Sequence, residues 1–125
     1  MGWTSNHIAS EHRMELTLKG KIDYDTLLEA VLTNVEKSNE FNALNHLVDC
    51  TALIADFDRR VLFELPNKLY PEWGMVPTTR IALIEPRNID AKGKAEFYVY
   101  AMKKLGWDTA IFSNRKKALT WLNQS

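Results

Sequence analysis

The pattern of apolar and polar positions changes period along the first third of the chain. Residues 14–18 alternate apolar with polar, which predicts a strand with one face on the core. Residues 3–9 can pair with it through a turn at 10–12, so we expect an N-terminal hairpin. From Asp23 apolar residues recur at helical spacing. Asp23 is placed to cap that helix, which should end near residues 38–39.

Short apolar runs and helical stripes then alternate to the end of the chain. Residues 47–50, 81–84 and 109–112 predict strands, and the run at 81–84 is typical of a central strand covered on both faces. A helix is predicted between the strands at 47–50 and 81–84, and Pro66 should kink or restart it. Another helix is predicted between the strands at 81–84 and 109–112, and Gly106 should end it. This order predicts an α/β fold, a mixed and mostly parallel sheet of about four to five strands with an N-terminal hairpin and about four helices.

Composition narrows the class of protein. A length of 125 residues suits one domain, and we expect residues 1–125 to form it. Sixteen basic and sixteen acidic residues cancel without a run of like charge, so nucleic acid is not an expected partner. The single cysteine forms no internal disulfide, and no apolar run is long enough for a signal or a membrane span. We therefore expect a cytoplasmic protein without integral membrane association.

Two segments together resemble a known family. Residues 48–51 read Val-Asp-Cys-Thr at the end of a predicted strand, and residues 112–122 read as a strand end, a cap and a short helix that closes on Trp-Leu. This combination resembles the SpoIIAA-like branch of the STAS-related domains. The resemblance implies a small α/β module that binds or regulates, with a functional loop after the Asp-x-Thr strand ending.

The chain departs from that family at one motif. In anti-sigma antagonist members the loop carries Asp-Ser-Ser-Gly, and its serine is phosphorylated at the start of the next helix. This chain reads Ala-Asp-Phe-Asp at residues 55–58. Because no hydroxyl stands at that place, we predict that the phosphorylation switch is absent.

Candidate catalytic groups do not assemble in the sequence. His46 and Cys50 lie four positions apart on a predicted strand, roughly 13 Å, which is too far for a thiol dyad. Cys50 is therefore interpreted as a buried structural residue. The histidines show no metal-ligand spacing, and the glycines form no phosphate loop. With the acidic pairs at 23–25 and 56–58 interpreted as helix caps, we predict no enzyme, metal or cofactor.

The predicted third helix carries a second set of apolar residues. Phe97, Tyr100 and Ala101 fall almost opposite the stripe that should face the core. Either a neighbouring element covers these side chains, or they form a surface for self-association or for a ligand. The second alternative predicts a homodimer, since most soluble oligomers are symmetric dimers.

The segment at residues 70–76 is aromatic and rich in chain-breaking residues. Tyr70 and Trp73 either pack as part of an ordered connection or belong to a lid that closes an apolar pocket against the third helix. The second alternative makes both residues candidates for binding a small apolar ligand.

Polar side chains should gather where the parallel strands end, because ligands of open α/β sheets bind outside those carboxyl ends. Either these residues are solvated loop ends with local caps, or they hold a small polar or anionic group by an arginine and helix amides. The candidates in this group are Asp49, Thr51, Glu85, Arg87 and Arg115.

The function predicted from the sequence is a non-enzymatic binding or regulatory module that acts through protein–protein contacts, as a homodimer. The alternative is a carrier or sensor of a small hydrophobic, lipid-like ligand. The two differ in structure, because a carrier requires an enclosed cavity between residues 70–76 and the third helix.

Overall fold

The sheet has strands whose order in space follows their order along the chain. The computed structural model describes residues 2–124, and within them the sheet has five strands. The first two strands pair antiparallel and every later pair is parallel, which confirms the predicted hairpin and the mixed, mostly parallel sheet. The strands are β1 (Trp3–Ile8), β2 (Arg13–Asp23), β3 (Asn45–Asp56), β4 (Arg80–Ile84) and β5 (Asp108–Phe112).

Apart from a short 3-10 turn (Ala9–Glu11) between β1 and β2, four helical segments accompany these strands within residues 2–124, as predicted. One follows β2, one joins β3 to β4, one joins β4 to β5, and the last follows β5. The segment after β3 is continuous but changes its winding, so it is described in three parts. The helices are α1 (Tyr24–Phe41), α2 (Arg59–Glu64), a π-helical turn (Leu65–Leu69), α3 (Tyr70–Glu72), α4 (Ile89–Lys104) and α5 (Arg115–Leu122).

Each face of the sheet has its own core. Each parallel strand is added beside the one before it, in the order β2, β3, β4 and β5. Crossovers of the same handedness then place α1, α2 and α4 on the same face of the sheet. The opposite face is covered by α5, whose Ala118 and Leu122 pack on Leu47, Ala82 and Ile84. The strand β4 is therefore buried on both faces, as its continuous apolar run predicted.

The closing helix is held by packing, as its sequence predicted. Asn114 caps α5 by accepting a hydrogen bond from the Lys117 amide at 2.9 Å. Trp121 packs on Phe112 with ring centroids 5.6 Å apart, and the Arg80 guanidinium lies 4.1 Å from the Trp121 ring centroid. These contacts seal the end of the second core.

The strand β3 is longer than the sequence predicted, so Asp49 and Thr51 of the candidate site lie within the strand and not after it. We expected it to end near Cys50, but it continues to Asp56. It pairs with β4 only as far as Asp49 opposite Ile84, and then continues beside β2 alone. A bulge inserts one extra residue into β3 opposite residues 17–19. The alternation of side chains restarts after the bulge, which is why a single-period pattern did not reveal the longer strand.

One helix also differs from its predicted course, and another follows it. The helix α1 continues beyond the expected end at residues 38–39 to Phe41, where Asn42 takes a left-handed conformation with φ 52°. Pro66 falls in the first turn of the π-helical part, so the helix restarts with a different winding, as one of the two predicted outcomes required. The carbonyl of Pro66 accepts a hydrogen bond from Trp107 Nε1 at 3.2 Å, which ties this turn to the end of α4.

A chain of buried polar groups links β1, α1 and β3. Ser5 Oγ donates to Asn34 Oδ1 at 2.8 Å, and Asn34 Nδ2 donates to His46 Nδ1 at 3.3 Å. The imidazole proton is therefore on Nε2, which donates to Ser38 Oγ at 2.9 Å. The Ser38 hydroxyl in turn donates to the Ala43 carbonyl at 2.8 Å. His46 is buried in its neutral form with both ring nitrogens hydrogen-bonded.

We expect stability to fall as the pH is lowered from about 6.5 to 4. Burial lowers the pKa of His46 from 6.5 to about 4, so in this window the unfolded state binds a proton that the folded state does not. The free energy of unfolding should therefore decrease by about 1.4 kcal/mol per pH unit, or about 3 kcal/mol in all. Urea unfolding at several pH values would measure this slope.

Matched histidine variants identify the source of the slope. His12 is exposed, so His12→Gln should keep the slope, whereas His46→Gln should lose it despite a lower stability at pH 7. A nuclear magnetic resonance titration of His46 with a midpoint near its ordinary pKa would contradict the assignment.

Candidate functional site at the carboxyl ends of the strands

Asp49 and Thr51 form a closed local motif at the bulge. Asp49 Oδ1 accepts hydrogen bonds from the Thr51 amide at 3.0 Å and from Thr51 Oγ1 at 2.6 Å. The Arg87 amide donates to the Thr51 carbonyl at 3.1 Å, which holds the loop after β4 against β3. Both residues thus lie inside β3, where they shape the backbone, instead of in a loop that follows the strand.

Glu85 and Arg115 are engaged by neighbouring charges. Glu85 Oε2 lies 3.6 Å from Lys92 Nζ. Arg115 Nη2 donates to both carboxylate oxygens of Glu15, at 2.9 and 2.7 Å, and Arg13 Nε donates to Glu15 at 2.7 Å. Burial alone would raise the pKa of Glu15, but hydrogen bonds from the two arginines outweigh it and lower the pKa. Arg115 is thereby held at β2 by Glu15.

Arg87 is the strand-end candidate that remains open. Its side chain is exposed and has no ion-pair partner within residues 2–124. Ile54 and Ile89 lie at the same end of the sheet with 50% and 88% of their surface exposed. We call Ile54, Arg87 and Ile89 the strand-end surface.

The sequence did not point to the two isoleucines of this surface. Ile54 follows the bulge, in a part of β3 that was not expected to be a strand. It points to the face of the sheet on which α5 packs, but α5 contacts β3, β4 and β5 and leaves Ile54 exposed. Ile89 directly follows the cap of α4, and its position outside the core stripe of that helix was the available signal. Large exposed apolar side chains and an unpaired guanidinium at one end of a sheet are typical of a protein-binding surface.

On the outer side of α4, which is the predicted third helix, the two alternatives left by the sequence apply to different residues. Ala101 is buried, in agreement with the covered alternative. Phe97 is partly buried against the core, and the Arg59 guanidinium lies 6.0 Å from its ring centroid. Tyr100 is 59% exposed, with Lys104 Nζ 5.8 Å from its ring centroid. Tyr100 is thus the large side chain that this side of α4 presents to solvent.

The segment at residues 70–76 is anchored at several points. Tyr70 and Met75 are buried, and the Met75 amide donates to the Tyr70 carbonyl at 2.9 Å. Asn39 Nδ2 donates to the Trp73 carbonyl at 2.9 Å, and the Trp73 ring packs edge-on to Tyr70 with centroids 6.4 Å apart. These contacts favour the ordered connection over the lid.

A small apolar cavity lies in the core beneath this segment. Its volume is about 70 Å³, and its lining includes Tyr70 and Met75 from the segment and Ala95 and Tyr98 from α4. Sites for drug-sized ligands measure about 300–1,000 Å³. The cavity occupies the place that the carrier hypothesis requires, but it has no room for a lipid chain.

The groups with potential chemistry in the core are held in unreactive forms. Cys50 is buried, as predicted, and burial together with the nearby charge of Asp49 raises the pKa of its thiol to about 12. His46 is neutral and hydrogen-bonded on both ring nitrogens. Neither group is positioned as a nucleophile or a base.

The acidic residues at helix starts act as caps, as predicted. Asp23 accepts from the Thr26 amide at 2.9 Å, and Asp58 accepts from the Arg60 amide at 2.9 Å. Within residues 2–124, no three His, Cys, Asp or Glu side chains are grouped so that they could hold a metal ion. None of the helices in that range is long and apolar enough to cross a membrane.

The fold occurs in solved structures of low sequence identity. An anti-sigma factor antagonist from Mycobacterium paratuberculosis matches with a TM-score of 0.64 and 13% identity, over 98% of this chain and 95% of that chain. An uncharacterised protein of the DUF3478 family with a SpoIIAA-like fold, from Shewanella loihica, matches with a TM-score of 0.59 and 16% identity, over 96% and 91%. No family model and no curated protein matches the sequence. The chain has a SpoIIAA-like fold, which confirms what its sequence resemblance implied.

Removing one hydroxyl of the buried tyrosine pair should destabilise the protein. The hydroxyls of Tyr70 and Tyr98 share a hydrogen bond of 2.6 Å, and burial raises the pKa of both, so both are neutral. Tyr70→Phe or Tyr98→Phe leaves the other hydroxyl buried without its partner, at a cost of about 1–3 kcal/mol. Urea unfolding of each variant would measure the loss.

The double variant tests the coupling between the two hydroxyls. The combined Tyr70→Phe and Tyr98→Phe variant should lose less stability than the sum of the single losses, because no hydroxyl is left unpaired. Tyr24→Phe is the control, since Tyr24 is half exposed and should change little. Strictly additive losses would show that the two hydroxyls do not stabilise each other.

Proposed function

We propose that this protein is a non-enzymatic regulatory module that binds a protein partner through its strand-end surface. The observation that carries the proposal is that Ile54, Ile89 and the unpaired guanidinium of Arg87 are all exposed at the carboxyl ends of the strands. Together they offer an apolar contact and a directional cation at one end of a rigid sheet.

The chemistry of the surface indicates what the partner presents. Burying an isoleucine side chain contributes about 1.5–3 kcal/mol, so Ile89 can act as an anchor in an apolar recess of the partner. Arg87 can donate two parallel hydrogen bonds to a carboxylate. The partner should therefore combine an apolar recess with an Asp or Glu at its rim.

Structural similarity supports a regulatory role. One matched structure is an anti-sigma factor antagonist. By this analogy the partner class is an anti-sigma factor or a related regulator, and the complex would form in the cytoplasm. Asp58 caps α2 where the family carries its phosphorylated serine, so partner binding here would not be switched by phosphorylation at that position.

Variants of the strand-end surface should lose partner binding. The tagged protein would be crosslinked in cells of its source organism, and the captured partner identified and then produced separately. In titrations with that purified partner, Ile89→Lys should weaken binding by about tenfold or more, because an anchor is replaced by a charge. Arg87→Ala should weaken binding and reduce its dependence on salt.

A control at the other end of the sheet separates this surface from general effects. Val76 is 46% exposed and precedes β4, so it lies where the parallel strands begin. Val76→Lys should bind the partner as the wild type does. Equal binding by the Ile89→Lys and wild-type proteins, or a wild-type protein that retains no specific partner, would overturn the proposal.

A further inference from the structure

We propose that the outer side of α4 binds a second copy of this chain, with the two α4 helices antiparallel across a two-fold axis at Tyr100. The surface involved is the line of Glu96, Tyr100 and Lys104, which we call the α4 stripe. It is separate from the strand-end surface, and the inference does not depend on the proposed function.

The spacing of the stripe places its three side chains in one row. Residues four apart on a helix lie above one another, about 6 Å apart along the axis. Glu96, Tyr100 and Lys104 are all exposed, and the row points away from the buried residues of α4. An acidic group, an aromatic ring and a basic group therefore follow each other along the free side of the helix.

The charges of the stripe select both the occupant and its direction. Within residues 2–124, neither Glu96 nor Lys104 has an ion-pair partner. An antiparallel second copy centred on Tyr100 places its Lys104 opposite Glu96, and its Glu96 opposite Lys104. A parallel copy would place like charges together. The stripe is complementary to itself only in the antiparallel arrangement.

Tyr100 supplies the centre of this contact. Its side chain is 59% exposed, and on the two-fold axis it meets the same ring of the second copy. Tyrosine is enriched at the centres of protein interfaces, because its rigid ring buries a large apolar area while its hydroxyl can still form a hydrogen bond. Lys104 Nζ lies 5.8 Å from the centroid of this ring, so the positive charge is already held next to Tyr100 within the α4 stripe.

Phe63 on α2 widens the apolar part of the surface. The helices α2 and α4 run side by side in the same direction, with Arg59 at the start of α2 against Phe97 in the middle of α4, and Pro66 just after α2 against Trp107 just after α4. Phe63 lies between these two points and is 42% exposed. It can therefore contact the second copy beside the central row.

Charge reversal tests the pairing directly. In sedimentation equilibrium the wild type should form dimers that weaken as salt is raised. Glu96→Lys and Lys104→Glu should each weaken the dimer at least tenfold, since each creates two repulsive contacts. The combined Glu96→Lys and Lys104→Glu variant should restore the dimer, which a folding defect would not do. Circular dichroism would verify that all variants are folded.

A cysteine at the two-fold axis supplies a second readout. The lone native cysteine, Cys50, is buried, so the wild type should form no intermolecular disulfide. Tyr100→Cys should form a disulfide-linked dimer under mild oxidation. Tyr24→Cys, at a similarly exposed tyrosine on α1, is the control and should crosslink much more slowly.

Three results would overturn the inference. They are a wild type that stays monomeric at high micromolar concentration, a combined charge reversal that is folded but monomeric, and equal crosslinking at Tyr100→Cys and Tyr24→Cys. Its failure is distinguishable from failure of the proposed function. Ile89→Lys should leave the dimer intact, and Glu96→Lys should leave partner binding per subunit intact.

Discussion

The parallel pairing of β3 with both of its neighbours fixes the position of everything else that the molecule presents. Where β4 stops at Ile84, β3 loses one partner, and the bulge lets it continue beside β2 as a two-stranded ribbon. The freed carbonyl of Thr51 is then satisfied by the Arg87 amide, which draws the loop after β4 to this point. That hydrogen bond holds the loop that leads to Asn88, the cap of α4, and so it keeps Ile89 at the same end of the sheet as the ribbon.

The helix-covered face of β3 explains why His46 and Cys50 are inaccessible. His46 and Cys50 are the most reactive side chain types in the chain, yet both are on this face and both are buried. Burial in an apolar core favours the neutral forms, and hydrogen bonds hold His46 in a single tautomer. The same packing that stabilises the sheet therefore removes these groups from solvent and from any substrate.

Features of the fold that depend on residues close together in the sequence were predictable, and features that depend on distant residues were not. The hairpin, α1 and β4 were predictable because local periodicity reports which face is buried. The length of β3 was not, because a bulge changes the period and the residues after it, Ala52 to Ala55, are small or apolar on both faces. The state of Arg115 was not predictable either, since its partner Glu15 lies one hundred residues away. Arg87 was found because it follows a strand end, while Ile54 and Ile89 depend on how elements meet.

The helix α4 connects the two proposed surfaces without mixing them. Ile89 begins the helix and Tyr100 lies eleven residues later, about 16 Å along the axis. In an antiparallel pair of α4 helices, the two strand-end surfaces therefore point in opposite directions. One compact partner could not reach both at once, so dimerisation would add a second binding site without adding avidity for that partner. The dimer would instead bring two partner molecules to opposite ends of one unit.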